Sequence, residues 1–377
     1  MRPEFKSLKP LAFAAAALAC GSVAAPAQAV EPLLLGYQMP LSGDYSQYGE
    51  MFRNAAELQL KAFNAAGGVD GVPVQILYED SKNDPKEGVN IARKFADNPK
   101  ILAVLGDFSS TVAMAAGEVY AKAGVPQLSQ TASHPDFTKV SKYQFRNITT
   151  QAYEGPFTAK WIRSTGPKSV AIVSIQNDWG ISAAEEFAKA FKAEGGSVTG
   201  IEYFNPGNRD FRSILTKIAR QKPDAIYLCM FYEEAASALQ QAKQLNVKAP
   251  VFSTSSLYSP KLIELAGDAA NGLRMASTFV PENPAPEVQG FVANYKAAYT
   301  NAPNMFAAQA YDAVGIVLAA LKKVGPAATR EQVRDALAAT TDYPGVTGKT
   351  SFDPATREPA KGLAKMVVEN GQFKVIQ

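Results

Sequence analysis

The residues best equipped for chemistry gather in TASHPDFT (131–138), where His134, the only histidine of the 377-residue chain, adjoins Ser133. A serine next to a histidine suggests a nucleophile and its base. Sequence neighbours rarely reach one another in that geometry, however, and no acid is marked as the third, orienting group. His134 precedes Pro135 at a loop-to-helix transition and reads as a bystander. A serine hydrolase using Ser133 or Ser182 is kept as an alternative, although Gly180-Ile181-Ser182 lacks the second glycine of a nucleophile elbow because position 184 is alanine. PGVTGKT (344–350) resembles a phosphate-binding loop, but only Val346 and Thr347 separate Gly345 from Gly348, where that loop needs four residues. It reads as a turn. No Gly-x-Gly-x-x-Gly follows a first strand, so a dinucleotide fingerprint is missing.

The hydroxyl clusters suggest holding instead of turnover. DFSST (107–111) opens an apolar helical pattern, which sets Ser109 and Ser110 at a helix N-terminus, where free backbone N–H groups favour an anion. Thr131 and Ser133 add hydroxyls from a nearby loop. N-capping alone would explain one such cluster. Two clusters at the ends of neighbouring strands favour a ligand. Tyr45, Tyr48, Phe108, Trp179, Phe231, Tyr232 and Tyr258 fall in loops of the same class. Trp179, in the polar turn QNDWG, is the hardest of them to explain by core burial. Aromatic walls with convergent hydroxyls suit a small, partly apolar carboxylate.

The elements that must position these residues repeat. LLLGYQMP (33–40) and SVAIVSIQND (169–178) are apolar strands running into polar turns and then helices. AFNAAGGVDGVPVQILYEDSKNDPKEGVNIARKFADNPKILAVLGDFSS (62–110) and AFKAEGGSVTGIEYFNPGNRDFRSILTKIARQKPDAIYLCMFYEE (190–234) share one grammar: a Gly-Gly stop, a strand, a turn, an amphipathic helix and a buried strand. Such alternation predicts an α/β protein of two similar lobes, each a parallel sheet flanked by helices. The boundaries expected are 30–148 plus 281–357 for lobe 1, and 149–280 plus 358–377 for lobe 2. FRNITTQAYEG (145–155) and STFVPEN (277–283) carry the chain across. Helices are expected at 286–300, 304–324 and 329–340, then strands joined by turns.

Residues 1–29 carry Arg2, Lys6 and Lys9, an apolar run from Leu11 to Ala19, and Ala27-Gln28-Ala29, the parts of a secretory signal cut after Ala29. The destination expected is the periplasm; Cys20, in a poor lipobox, would instead give a lipid anchor. Without Arg2, Lys6, Lys9 and Glu4 the net charge falls from +3 to about +1, too little to steer nucleic acid. One cysteine, Cys229, would remain, so no intramolecular disulfide can form. With a single histidine, metal sites of the usual ligand types are not expected, nor is any cofactor.

PLSGDYSQYG, AFNAAGGVDGVPVQILYED, DPKEGVNIARKF, GVPQLSQTAS, NDWG, MFAAQAYDAV and TGKTSFDP together give residues 30–377 a resemblance to the leucine/isoleucine/valine-binding periplasmic proteins of ABC importers. That resemblance implies the type I periplasmic binding protein fold, with a ligand cleft between its lobes and no enzymatic activity. It also implies a monomer that hands its ligand to an ABC permease in the inner membrane. Its ligand positions fall on Ser110, Thr131 and Ser133 for a carboxylate, with Tyr48 beside them, and on Trp179, Phe231 and Phe306 for the ligand body. A glutamate that pairs with the ligand ammonium in this family aligns with Ser255. A buried ammonium lacking an anionic partner is costly, so the expectation leans toward an aromatic acid over a hydrophobic amino acid, with Asp178 or Glu233 as conceivable substitute acids. A sensory subunit sharing the fold is the other alternative.

Overall fold

Apolar runs bounded by turn residues become the inner strands of two sheets. The computed structural model describes residues 30–376 with Met1 and Glu4; the expected signal, its cleavage site and Cys20 otherwise lie outside the described residues. From Pro32 onward the chain forms one compact unit.

The first sheet contains β1 (Leu33–Met39), β2 (Val74–Asp80), β3 (Ile101–Leu105), β4 (Gln127–Ser129) and β5 (Gln144–Arg146), in the order β2-β1-β3-β4-β5. Every pairing in it is parallel. The crossovers after β1, β2 and β3 are helices α1 (Ser46–Ala65), α2 (Pro85–Asp97) and α3 (Ser110–Ala123). Asp84 starts α2 by accepting from the N–H groups of Lys86 and Glu87, and Pro85 occupies the first position, where no N–H is needed. The helix then lies so close to β1 that a Cβ on Gly36 would sit 2.7 Å from the Phe95 ring.

The chain crosses into α4 (Gln151–Ser164) and builds a second sheet from β6 (Ser169–Ile175), β7 (Ser197–Phe204), β8 (Ala225–Cys229), β9 (Val251–Ser253) and β10 (Arg274–Ser277). Helices α5 (Asp178–Ala193), α6 (Arg212–Gln221), α7 (Tyr232–Gln244) and α8 (Pro260–Ala266) connect them. The order β7-β6-β8-β9-β10 repeats that of the first sheet, which is the physical content of the sequence repeat. The chain then returns to the first lobe in α9 (Pro286–Ala298), α10 (Met305–Val324) and α11 (Arg330–Ala338). Helix α10 is apolar and long enough to span a bilayer, but it is mostly buried, packed on α1, β3 and β4. A third crossing delivers β11 (Ala364–Glu369) and β12 (Gln372–Ile376), which add antiparallel to the free edge of β10. Asn370 and Gly371, both at positive φ, form the two-residue hairpin loop that matches strand twist. Two α/β lobes of the type I binding-protein architecture result.

PGVTGKT is indeed a turn. Its Val346 and Thr347 N–H groups wrap the buried carboxylate of Asp312 on α10 at 2.8 and 2.9 Å, and Lys361 lies 3.9 Å from the same carboxylate. The backbone donors that a phosphate loop would offer a nucleotide are spent on a side chain of this chain.

Candidate binding site

The strand ends of both sheets face one another across a small cavity of about 30 Å³. Seven of the eight residues singled out in the sequence line it: Ser110, Thr131, Ser133, Trp179, Phe231, Ser255 and Phe306. Tyr48, the eighth, is fully buried behind the wall, stacked on Phe108 at 4.2 Å and edge-on to Phe306 at 4.7 Å.

The first-lobe wall is built from the ends of β3 and β4. Ser109 caps α3 by accepting from Val112 N–H, so Ser110 heads the helix and its first-turn N–H groups have no intrahelical carbonyl. The loop after β4 is braced from below. Ser129 Oγ donates to the Asp107 carbonyl and accepts from Ala132 N–H, while buried Arg146 donates to the carbonyls of Ala132 and His134 at 2.9 and 2.8 Å. With its carbonyls so occupied, the loop turns hydroxyls toward the cavity. Thr131 Oγ1 spends its proton on the Phe108 carbonyl at 2.8 Å, so Thr131 offers the cavity only oxygen lone pairs from that group. Ser110 Oγ accepts from His134 N–H, and Ser133 Oγ accepts from both Gln151 Nε2 and Trp179 Nε1, each at 3.0 Å. Two donated hydrogen bonds fill the lone pairs of Ser133 Oγ and leave its own proton free. Ser110 and Ser133 are thus the hydroxyl donors available to a carboxylate.

His134 takes no part in this. Its Nδ1 accepts from Asp136 N–H within the turn, and burial pushes its basicity below the usual imidazole range. The partners of Ser133 Oγ are an amide and an indole, so the nucleophile–base pair of a hydrolase is not assembled there.

The second-lobe wall is aromatic. Asn177 caps α5 through Gly180 N–H, and a Cβ on Gly180 would meet the Ile175 carbonyl at 2.1 Å. That close approach to β6 projects Trp179 into the cleft. Trp179 stacks on Phe231 at 4.8 Å with an interplanar angle of 18°, and Phe231 in turn meets Phe108 of the first lobe at 5.1 Å. The lobes also join at the rim, where Tyr45 donates to Glu234 and Arg209 bridges Asp44, Glu233 and Glu234. The cleft is closed.

The substitute acids fall elsewhere. Asp178 is exposed, and Glu233 is held at the rim by Arg209. The acid near Ser255 is Glu154, fully buried on α4, a residue the sequence reading passed over. Its carboxylate accepts from Ser255 N–H at 2.5 Å and Ser255 Oγ–H at 2.9 Å, and burial pushes it up to about 7. Gln151, also passed over, lines the cavity three residues earlier on the same helix. Both lie in FRNITTQAYEG, already recognised as a crossing; polar residues in a first helical turn resemble ordinary capping, which concealed them.

The model of the periplasmic binding protein family matches residues 32–372. The chain belongs to that family. Within it, the relatives include leucine/isoleucine/valine-type binding proteins. A Rhodospirillum rubrum structure assigned to a branched-chain amino acid ABC transporter is 52% identical, with a TM-score of 0.70, covering 92% of this chain and 100% of that one. The Streptococcus pneumoniae substrate-binding protein LivJ, solved with isoleucine, is 28% identical with a TM-score of 0.85, covering 92% and 99%. A Rhodopseudomonas palustris solute-binding protein solved with 3,4-dihydroxybenzoic acid is 25% identical with a TM-score of 0.84, covering 91% and 95%.

Proposed function

We propose that this periplasmic binding protein captures a small carboxylate with an apolar body by closing its lobes, 30–148 with 281–357 against 149–280 with 358–377. The protein then delivers that ligand to an inner-membrane ABC permease. Residues 1–29 direct export and are removed after Ala29, and the exported chain acts as a monomer. The observation that carries this reading is the pairing of free donors with aromatic walls. Ser110 and Ser133 hydroxyls beside the N-terminus of α3 face Trp179, Phe231 and Phe306 across one cavity. A carboxylate so held is neutralised by hydroxyls and a helix terminus and needs no arginine. Closure is supported by the contacts formed across the cleft, among them Phe231 against Phe108 and Tyr45 to Glu234.

Thermal unfolding with isoleucine, leucine, benzoate and 3,4-dihydroxybenzoate, each beside its carboxamide, tests the reading. At least one acid should raise the midpoint, its amide should not, and Ser133→Ala should shrink the rise. Equal stabilisation by acid and amide would refute the carboxylate anchor.

A further inference from the structure

Gln151 is 1% exposed and lines the cavity, yet its Oε1 has no hydrogen-bond partner among the described residues. Its neighbours fix the orientation of the amide. Nε2 donates to Ser133 Oγ, the same oxygen that accepts from Trp179 Nε1, so the amide nitrogen is the atom spent there. The oxygen is therefore the atom left over. Ser255, also in the cavity wall, gives its hydroxyl proton to Glu154 Oε2 and retains lone pairs. Behind both stands the buried carboxyl group of Glu154, itself outside the cavity lining.

Resting on the carboxylate reading above, we infer that Gln151 Oε1 and Ser255 Oγ, backed by Glu154, form a subsite for a hydrogen-bond donor on the carbon next to the ligand's carboxylate. The spacing follows from covalent structure. Gln151 Oε1 shares one amide carbon with the nitrogen that touches Ser133 Oγ. Acceptor and anchoring hydroxyl are therefore neighbours, placed for substituents on adjacent ligand atoms and too close for groups at opposite ends of a benzene ring. An α-amino or α-hydroxy acid supplies such a donor; benzoate does not. Of the two, the ammonium gains more, because the carboxyl of Glu154 lies only one hydroxyl away and loses its proton more readily beside a cation. The negative partner missing at position 255 is thus supplied from position 154, through Ser255, and the ligand class shifts toward hydrophobic α-amino acids.

Matched ligand triads test this by calorimetry: L-leucine, 2-hydroxy-4-methylpentanoate and 4-methylpentanoate, and L-phenylalanine, 3-phenyllactate and 3-phenylpropionate. In the unaltered protein the amino acid of at least one triad should bind about ten- to a hundredfold more tightly than the acid lacking the substituent, with the hydroxy acid between. Gln151→Met and Glu154→Gln should each shrink that ratio to about threefold or less. The ratio is the readout, so any loss of anchoring common to both ligands cancels. Equal affinities within both triads, or benzoate and 3,4-dihydroxybenzoate binding while no amino acid does, would overturn the subsite and leave the carboxylate reading intact. Preference ratios unchanged in both variants would also overturn it. Binding of no acid of any kind would bring down both.

Discussion

Trp179→Phe isolates one contact that exists only when the lobes meet. The phenyl ring keeps most of the stacking on Phe231, but the indole N–H that donates to Ser133 Oγ at 3.0 Å is gone. In an open cleft that N–H is hydrated, so its removal costs the open form nothing. A neutral hydrogen bond is worth about 1 kcal/mol net, with a range of roughly 0.5–1.5. The closed form should lose about that much relative to the open one, and ligand affinity should fall about fivefold. Calorimetric titration with the ligand identified by thermal shift gives the affinity. Thermal unfolding of the unligated protein should move little, because the lobes themselves are untouched. A double-mutant cycle with Ser133→Ala should return a coupling of about 1 kcal/mol. Zero coupling, or full affinity in Trp179→Phe, would mean that this contact is not part of the ligated closed form.

Two further outcomes follow from buried charges. Burial raises the folded Glu154 carboxyl from its ordinary 4.5 to about 7, so the folded state binds the proton more tightly. Its stabilising proton is present at low pH and is lost as pH rises through about 7, at a cost on the order of 3 kcal/mol. Glu154→Gln should therefore unfold at higher denaturant than the unaltered protein at pH 8, with the gap closing toward pH 5; a gap independent of pH would contradict the burial argument. Lys361→Met would leave Asp312 buried without its cation. A loss of about 3–5 kcal/mol is expected, read as a lower urea midpoint at unchanged slope, and an unchanged midpoint would show that the Val346 and Thr347 donors suffice.

The sheets were legible because period and composition speak locally. Ile101–Leu105 and Ala225–Cys229 are buried at every position, and runs of that kind flanked by turns leave few readings besides inner parallel strands. The hydroxyl wall was legible for a similar reason, since Ser110 and Ser133 sit where strand ends feed helices. What could not be read was which side chains spend their protons on the protein itself. Thr131 and Ser133 look alike in TASHPDFT, yet one donates to a carbonyl and the other keeps its proton free. Glu154 was hidden because its importance comes from Ser255, 101 residues away, and no local pattern records that pairing. Asp178 and Glu233 attracted attention for being in the right loops, whereas a side chain's direction from the helix start decides what it faces.

The chain threads both lobes before finishing either. Helix α10 buries itself against α1, β3 and β4, and β11 seals the edge of β10 only after α11 has been laid down. A polypeptide emerging from its N-terminus therefore cannot complete its first lobe until α10 has appeared, nor its second until the last hairpin arrives. Both halves must wait, partly built, with apolar strand surface uncovered, and such non-local pairing slows folding. Slow acquisition of structure keeps a chain threadable through a narrow channel, so the order of the strands itself suits the export proposed above.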